Sequence, residues 1–411
     1  MRIMNTPALF SMLIASALAL VATTSASAQQ TIVKRVDGYH WVGTWATSAE
    51  AIDAKSMPPS PPGLTDSTLR QIVRVSIGGK KVRVRFSNAF AGWGSDMKIL
   101  EAQIAVSTGG HAIKTETAKA LTFRGEKSVV VPRGWLMISD PIDFDLVPGS
   151  NLAVTIHVNG QTKDVTGHRG ARTTTYVETG NAVSEKALPD AQEKTTWYYM
   201  CGVDVLAPES SGAVVCLGDS ITDGKGATDN TNRRWPDFLA RRLQANDATK
   251  QTGVLNQGIG GNGFFGGLGQ AALIRLERDV LTQPGVRWLI VLEGINDLGS
   301  GKITAEQVIT AMEQTILRAH ERGLRVYGGT ILPCGGSSYF KSEIEERRQK
   351  VNEWIRTSGA FDAVIDFDAA LRDPNDPAKL IKVADCGDHL HPSDEGYRMM
   401  AEAVDLKLFT K

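Results

Sequence analysis

The spacing of apolar residues changes period midway along the chain. From about residue 31 to 206 they recur at every second position. Val82, Val84 and Phe86 alternate with Arg83 and Arg85, and Leu152, Val154 and Ile156 alternate with Ala153, Thr155 and His157. Successive side chains of a strand point to opposite faces, so this period predicts half-buried strands. Further strand-like runs at 69–75, 99–106, 128–131, 173–177 and 196–206 are separated by Gly, Pro, Asn and Asp turns. Many short strands without helical stretches predict an antiparallel sandwich or jelly roll.

After the linker-like stretch Ala207-Pro208-Glu209-Ser210-Ser211-Gly212 the pattern is different. Short apolar runs at 213–217, 254–259, 288–292, 326–332 and 363–367 alternate with helix-period stretches at 235–245, 269–281, 305–322, 343–357 and 394–406. Such alternation builds an α/β domain, a parallel sheet sandwiched by helices, with functional groups at the carboxyl ends of its strands. The expected organisation is a β-domain over 29–207 and an α/β domain over 208–411.

Residues 1–28 read as a secretory signal. Arg2 starts it, an apolar stretch spans 8–22, and Ala26-Ser27-Ala28 precedes Gln29. Cleavage is expected after Ala28, leaving a secreted protein, periplasmic or extracellular. No other stretch is long and apolar enough to span a bilayer, so stable membrane insertion is not expected. The 411 residues, 42% hydrophobic and 22% charged, suffice for two globular domains. Lys+Arg and Asp+Glu both number 45, which leaves no field to draw in nucleic acid or anionic lipid. The four cysteines, Cys201, Cys216, Cys334 and Cys386, form no Cys-x-x-Cys pair, which argues against zinc. Export permits disulfides. Cys334, after a predicted strand end, and Cys386, just before Asp388, are expected on one rim of the sheet, where a bond would brace the loop.

The candidate chemistry sits at strand ends. Gly218-Asp219-Ser220-Ile221-Thr222 follows the apolar run 213–217, placing Ser220 where a buried strand gives way to a helix. A helix start aims free N–H groups and a positive dipole at any oxyanion formed there. Alone, such a turn is ordinary capping chemistry. The second strand leads into Asn256-Gln257-Gly258-Ile259-Gly260-Gly261-Asn262-Gly263, whose glycines let backbone N–H groups approach a ligand. The third leads into Glu293-Gly294-Ile295-Asn296-Asp297, where Asn296 offers an amide donor and Asp297 can hold the turn. Asp388-His389-Leu390-His391-Pro392 precedes the last helix, and Asp388 can meet His391 three residues on and fix its tautomer. His391 is preferred as base over His389, because the neighbouring residue points away from Asp388.

Together, in this order, these blocks resemble the SGNH, or GDSL, hydrolase superfamily over residues 213–406. The resemblance implies a flavodoxin-like five-stranded sheet, Ser220 as nucleophile, His391 as base and Asp388 as its orienting acid. It also implies an oxyanion hole of the Ser220 N–H, the Gly261 N–H and the Asn296 side chain, with Gly260 as the competitor for Gly261. No metal or organic cofactor is needed. Arg234-Trp235-Pro236-Asp237 and the opening Trp41-Val42-Gly43-Thr44-Trp45-Ala46-Thr47-Ser48 look like a secreted branch with an N-terminal β-domain, often associated with plant polysaccharide breakdown. The expected activity is hydrolysis of short acyl esters, acetyl above all, on polysaccharides or oligosaccharides. Phe264 and Phe265 are expected to line the cleft or to join the core. A lipase, lysophospholipase or thioesterase of the same superfamily is the second reading. A non-catalytic carbohydrate-binding protein is the third. The β-domain itself reads either as a carbohydrate-binding module, with Trp93, Trp135, Trp197 or Tyr198 stacking on sugar, or as a structural lid. The β-domain is expected to shape the cleft.

Overall fold

A computed structural model describes residues 36–92, 95–160 and 164–410, so the expected signal segment and Trp93 lie outside the described residues. The first half is antiparallel. One sheet runs Tyr39–Ala46, Met200–Pro208, Gly79–Ser87, Ile142–Leu146, with Leu136–Ile138 also paired to Gly79–Ser87. A second is built around Asn151–Asn159, flanked by Ser67–Arg74 and Met97–Gly109. A small third sheet joins Thr196–Tyr198, Thr166–Arg169 and Glu50–Ala51.

Val82, Val84, Phe86, Val203 and Val205 of the first sheet and Leu69, Val73, Leu152, Val154 and Ile156 of the second join one buried cluster. Each such side chain contributes about 1.5–3 kcal/mol on burial. The expectation of half-buried strands needs correction. Ala153, Thr155 and His157 are buried too, because a second cluster of Ile72, Ala105, Ile113, Tyr176, Ala182 and Leu188 covers the other face of Asn151–Asn159. Arg85 is buried as well, its guanidinium 3.1 Å from Asp204 and donating to Gln283 Oε1 at 2.8 Å.

The second half is a five-stranded sheet with neighbours in the order Thr252–Gly258, Gly212–Gly218, Val286–Leu292, Arg325–Gly329, Ala363–Ile365. All four pairings are parallel. This is the flavodoxin-like order, in which the chain leaves Gly212–Gly218 to one side and later returns to the other. Open sheets of this order carry their ligand sites at that switch, outside the carboxyl ends. Helix Ala305–His320 shows why the helices form where they do: Thr304 and Gln307 make a reciprocal capping box, and Val308, Ala311, Met312, Thr315, Ile316 and Ala319 make a buried stripe. The helix expected at 269–281 is instead one α turn, Ala272–Leu276, and a π turn, Glu277–Leu281. Its first residues are held in the preceding loop, where Asn262 Nδ2 donates to the carbonyls of Leu268 and Gln270.

The stretch between the two halves is a tight turn closed by Ser211 N–H to Pro208 C=O at 2.8 Å. Strands Tyr39–Ala46 and Thr252–Gly258 touch directly: a Cβ on Gly253 would lie 2.2 Å from the Gly43 carbonyl oxygen, and one on Gly43 would lie 2.8 Å from Leu255. Val42, Trp45, Val214 and Leu255 accordingly share one core.

All four cysteines are free, so the expected bond between Cys334 and Cys386 is absent. Cys334 is packed into the core, whereas Cys386 is exposed and lies against Gly226.

Candidate active site

Ser220 opens a helix of only four residues, Ser220–Asp223, directly after strand Gly212–Gly218. Gly218 is required at this transition, since a Cβ there would lie 2.3 Å from Thr222 Oγ1 and 2.4 Å from the Leu292 carbonyl oxygen. Asp219 is the N-cap, its carboxylate accepting the Ile221 N–H at 2.8 Å. The serine thus stands at the end of a buried strand on a capped helix start.

The sequence places His391 171 residues away, and the fold brings its Nε2 to 2.8 Å from Ser220 Oγ. His391 Nδ1 lies 2.7 Å from Asp388 Oδ2, and the other carboxylate oxygen accepts the backbone N–H groups of His391 and Leu390 at 2.8 and 3.0 Å. The loop is closed by Cys386 N–H to the His391 carbonyl at 3.0 Å, and Ser393 then caps helix Asp394–Glu402. Burial lowers the proton affinity of His391, an effect Asp388 opposes and the charges of Lys225 and Arg172 reinforce. The ring is therefore neutral at neutral pH, with Nε2 available as an acceptor when Asp388 holds the proton on Nδ1. Burial raises the Asp388 carboxyl, but hydrogen bonds from the His391 backbone and ring outweigh it and bring it down to about 2. His389 does not join this row. It is exposed, in the left-handed region at φ 62°, and its Nδ1 lies 2.6 Å from a carboxylate of its own, Asp385.

The two further predicted donors follow the strands on either side of Gly212–Gly218. Loop residue Ile259 donates its N–H to the Gly218 carbonyl at 3.0 Å, which carries the glycine turn across the strand end. Gly261 occupies the left-handed region at φ 72°, which favours glycine there. Asn296 Nδ2 donates to the Asn262 carbonyl at 2.7 Å, and Tyr339 O–H donates to Asn296 Oδ1 at 2.9 Å. One amide hydrogen is thereby used and the second is left over. Among the described residues the Ser220 and Gly261 N–H groups have no hydrogen-bond acceptor.

Asp297, expected to hold its own turn, holds a neighbour's, accepting the N–H groups of Phe264 and Phe265 at 2.9 and 3.0 Å. Other supporting residues escaped the sequence reading. Buried Arg275 donates to the carbonyls of Gly218 at 3.0 Å and Gln257 at 2.7 Å, to Asn262 Oδ1 at 2.9 Å and to Ser48 Oγ at 2.9 Å. One guanidinium thus ties two strand ends, the glycine loop and the β-half together. His168, also of the β-half, lies 2.9 Å from Asp223 Oδ1 on the serine helix, with its other ring nitrogen 2.9 Å from the Ser48 carbonyl. Burial opposes its proton, but the charge and hydrogen bond of Asp223 prevail and raise its proton affinity. Only proximity in the fold identifies these partners; each lies far from Ser220 in sequence.

The aromatic candidates divide. Phe264 is buried and joins the core, whereas Phe265 is exposed. Trp197 and Tyr198 are buried and Trp135 is exposed.

Residues 216–399 match the GDSL-like lipase/acylhydrolase family. Among solved structures, a putative lipolytic protein of the G-D-S-L family from Desulfitobacterium hafniense is 22% identical, covering 47% of this chain and 97% of its own, with a TM-score of 0.38. A carbohydrate acetylesterase family member from Sinorhizobium meliloti is 15% identical, over 48% of this chain and 97% of its own, at a TM-score of 0.39. The acetylxylan esterase Axe2 from Geobacillus stearothermophilus is 20% identical, over 47% and 94%, at 0.36. No curated protein matches the chain.

Proposed function

We propose that this protein, whose residues 216–399 match the GDSL-like lipase/acylhydrolase family, is a secreted serine esterase that removes short acyl groups, acetyl above all, from plant polysaccharides or oligosaccharides. The observation that carries the reading is the unbroken row Ser220 Oγ, His391 and Asp388, at 2.8 and 2.7 Å. In this reading Ser220 Oγ attacks the ester carbonyl carbon while His391 Nε2 takes the hydroxyl proton. The oxyanion is met by the N–H groups of Ser220 and Gly261 and by the spare amide hydrogen of Asn296. Collapse expels the alcohol, which takes the proton from His391. Water then repeats the sequence on the acyl-enzyme and releases the acid. Asp388 keeps the proton on Nδ1 and stabilises the imidazolium. One oxyanion donor is typically worth about 2.7–4 kcal/mol of barrier.

The carbohydrate reading rests on the N-terminal motifs of the secreted branch, and the short-acyl reading on Leu268 packing over Gly261. A lipid-ester reading is favoured by one observation: Phe265, Leu268 and Ile274 are 48, 52 and 67% exposed, an apolar rim near the glycine loop. The test compares the mature protein with Ser220→Ala on p-nitrophenyl esters of increasing chain length and on acetylated xylan. A drop of about 10³-fold or more in the variant, with a short-chain optimum and acetate release from xylan, is expected. Equal activity in both proteins overturns the esterase reading. A long-chain optimum without acetate release favours lipid esters, and inactivity of both favours carbohydrate binding alone.

A further inference from the structure

An asparagine side chain serves as an oxyanion donor only while its amide is held, since rotation about Cβ–Cγ swings the acceptor Oδ1 to where a hydrogen is needed. Asn296 is held at both ends. Its Nδ2 donates to the Asn262 carbonyl at 2.7 Å, and its Oδ1 accepts the Tyr339 hydroxyl at 2.9 Å. A carbonyl can only accept, so the Asn262 bond selects which end is nitrogen. That bond alone still lets the amide plane tilt about the contact. The hydroxyl is the second point, and two points fix the plane and with it the direction of the spare Nδ2 hydrogen.

Tyr339 is itself anchored. It lies in the stretch 330–341, between strand Arg325–Gly329 and helix Ser342–Thr357. Its N–H donates to Ser337 Oγ at 3.3 Å, and the Ser337 hydroxyl donates at 2.6 Å to the carbonyl of Cys334, a core residue. The ring packs on Ile295–Gly299, the helix that carries Asn296. A Cβ on Gly299 would lie 2.4 Å from ring Cδ2 and 2.8 Å from Cγ, so only a glycine three residues beyond Asn296 leaves room for the ring. The same stretch meets the base loop, where a Cβ on Gly336 would lie 3.1 Å from His389 Cγ. Burial, and then the charge of Asp219, raises the Tyr339 hydroxyl above its ordinary value of 10.0, so it remains a donor through neutral and mildly alkaline pH.

We propose that Tyr339 is a positioning residue of the oxyanion hole, its hydroxyl setting the Asn296 amide so that the spare Nδ2 hydrogen meets the oxyanion. This rests on the acylhydrolase reading of Ser220. Tyr339 acts through Asn296 and not on the reacting atoms. Donation into Oδ1 also draws electron density across the amide and strengthens its N–H as a donor. Both effects count for more in the transition state than in the bound ester, because the negative charge develops there.

The test uses the full-length protein and p-nitrophenyl acetate. Tyr339→Phe keeps the ring on Gly299 and removes one hydrogen bond. It should lower kcat about three- to tenfold with KM unchanged, the size of one neutral hydrogen bond lost from the transition state. Asn296→Ala should lower kcat about 10²- to 10³-fold, and adding Tyr339→Phe to it should cost no further factor, since no amide is left to hold. The same loss in both backgrounds, or a loss confined to KM, makes the hydroxyl merely structural and overturns the positioning role. Unchanged kcat in Tyr339→Phe also overturns it, while leaving the esterase standing. Wild-type turnover no greater than that of Ser220→Ala overturns the esterase and the positioning role with it.

Discussion

Two histidines two residues apart divide the work by backbone geometry. Asp388 takes His391 through the ring and the main chain together, and the left-handed turn at His389 sends that ring to Asp385. His391→Ala is expected to remove turnover by about 10³-fold or more, with His389→Ala close to wild type. Because burial lowers the His391 proton affinity, it becomes neutral below its ordinary value of 6.5, and the acid limb of kcat/KM should fall below that pH. A limb above 6.5, or loss of turnover in the His389 variant instead, would contradict this. Ser220, Asn296, Asp388 and His391 were legible because short motifs with fixed spacing carry them. Tyr339 and Arg275 were not. The first acts through Asn296 and the second through carbonyls, and carbonyls leave no mark on a sequence.

At the scale of the elements, the ends of three neighbouring strands enclose more acid than base. Asp219, Glu293 and Asp297 are all buried, with Arg275 among them. Burial, reinforced by neighbouring carboxylates, raises Glu293 well above its ordinary range, and burial followed by the Asp297 charge raises Asp219 to about 7. A carboxyl with a folded value near 7 and an unfolded one of 3.8 keeps its proton longer in the folded state. Its contribution to stability therefore declines as pH rises from about 4 to about 7. Asp219→Asn retains an acceptor for the Ile221 N–H and removes the titration. Its melting temperature relative to wild type should accordingly be higher at pH 8 than at pH 5. A difference independent of pH would refute the raised Asp219 carboxyl. Strand and helix periods made most of these elements legible. The segment 269–281 was misread because its apolar spacing fits a helix, while Asn262 ties its first residues into a loop.

Over the whole molecule, the change in period marks a change of architecture but the apolar core runs through it. Unfolding is therefore expected as one transition, with fluorescence and circular dichroism coinciding. Gly253→Ala sets a methyl against the Gly43 carbonyl, a contact between main chains that no rotamer relieves, and should lower stability by about 1–3 kcal/mol. Two separate transitions, or a neutral variant, would disprove the shared core. This contact was hidden in the sequence because a glycine beside an apolar strand reads as a turn or bulge. Only the packed partner shows why a side chain is excluded.

A helix of four residues cannot nucleate its own conformation, so Ser220–Asp223 inherits its position from what grips it. One grip, His168 on Asp223, comes from the β-half. Such a serine is not portable. An α/β domain of this kind grafted onto a foreign β-module would keep every motif residue and lose the support beneath its serine, so the two halves should have been exchanged in evolution only as a pair.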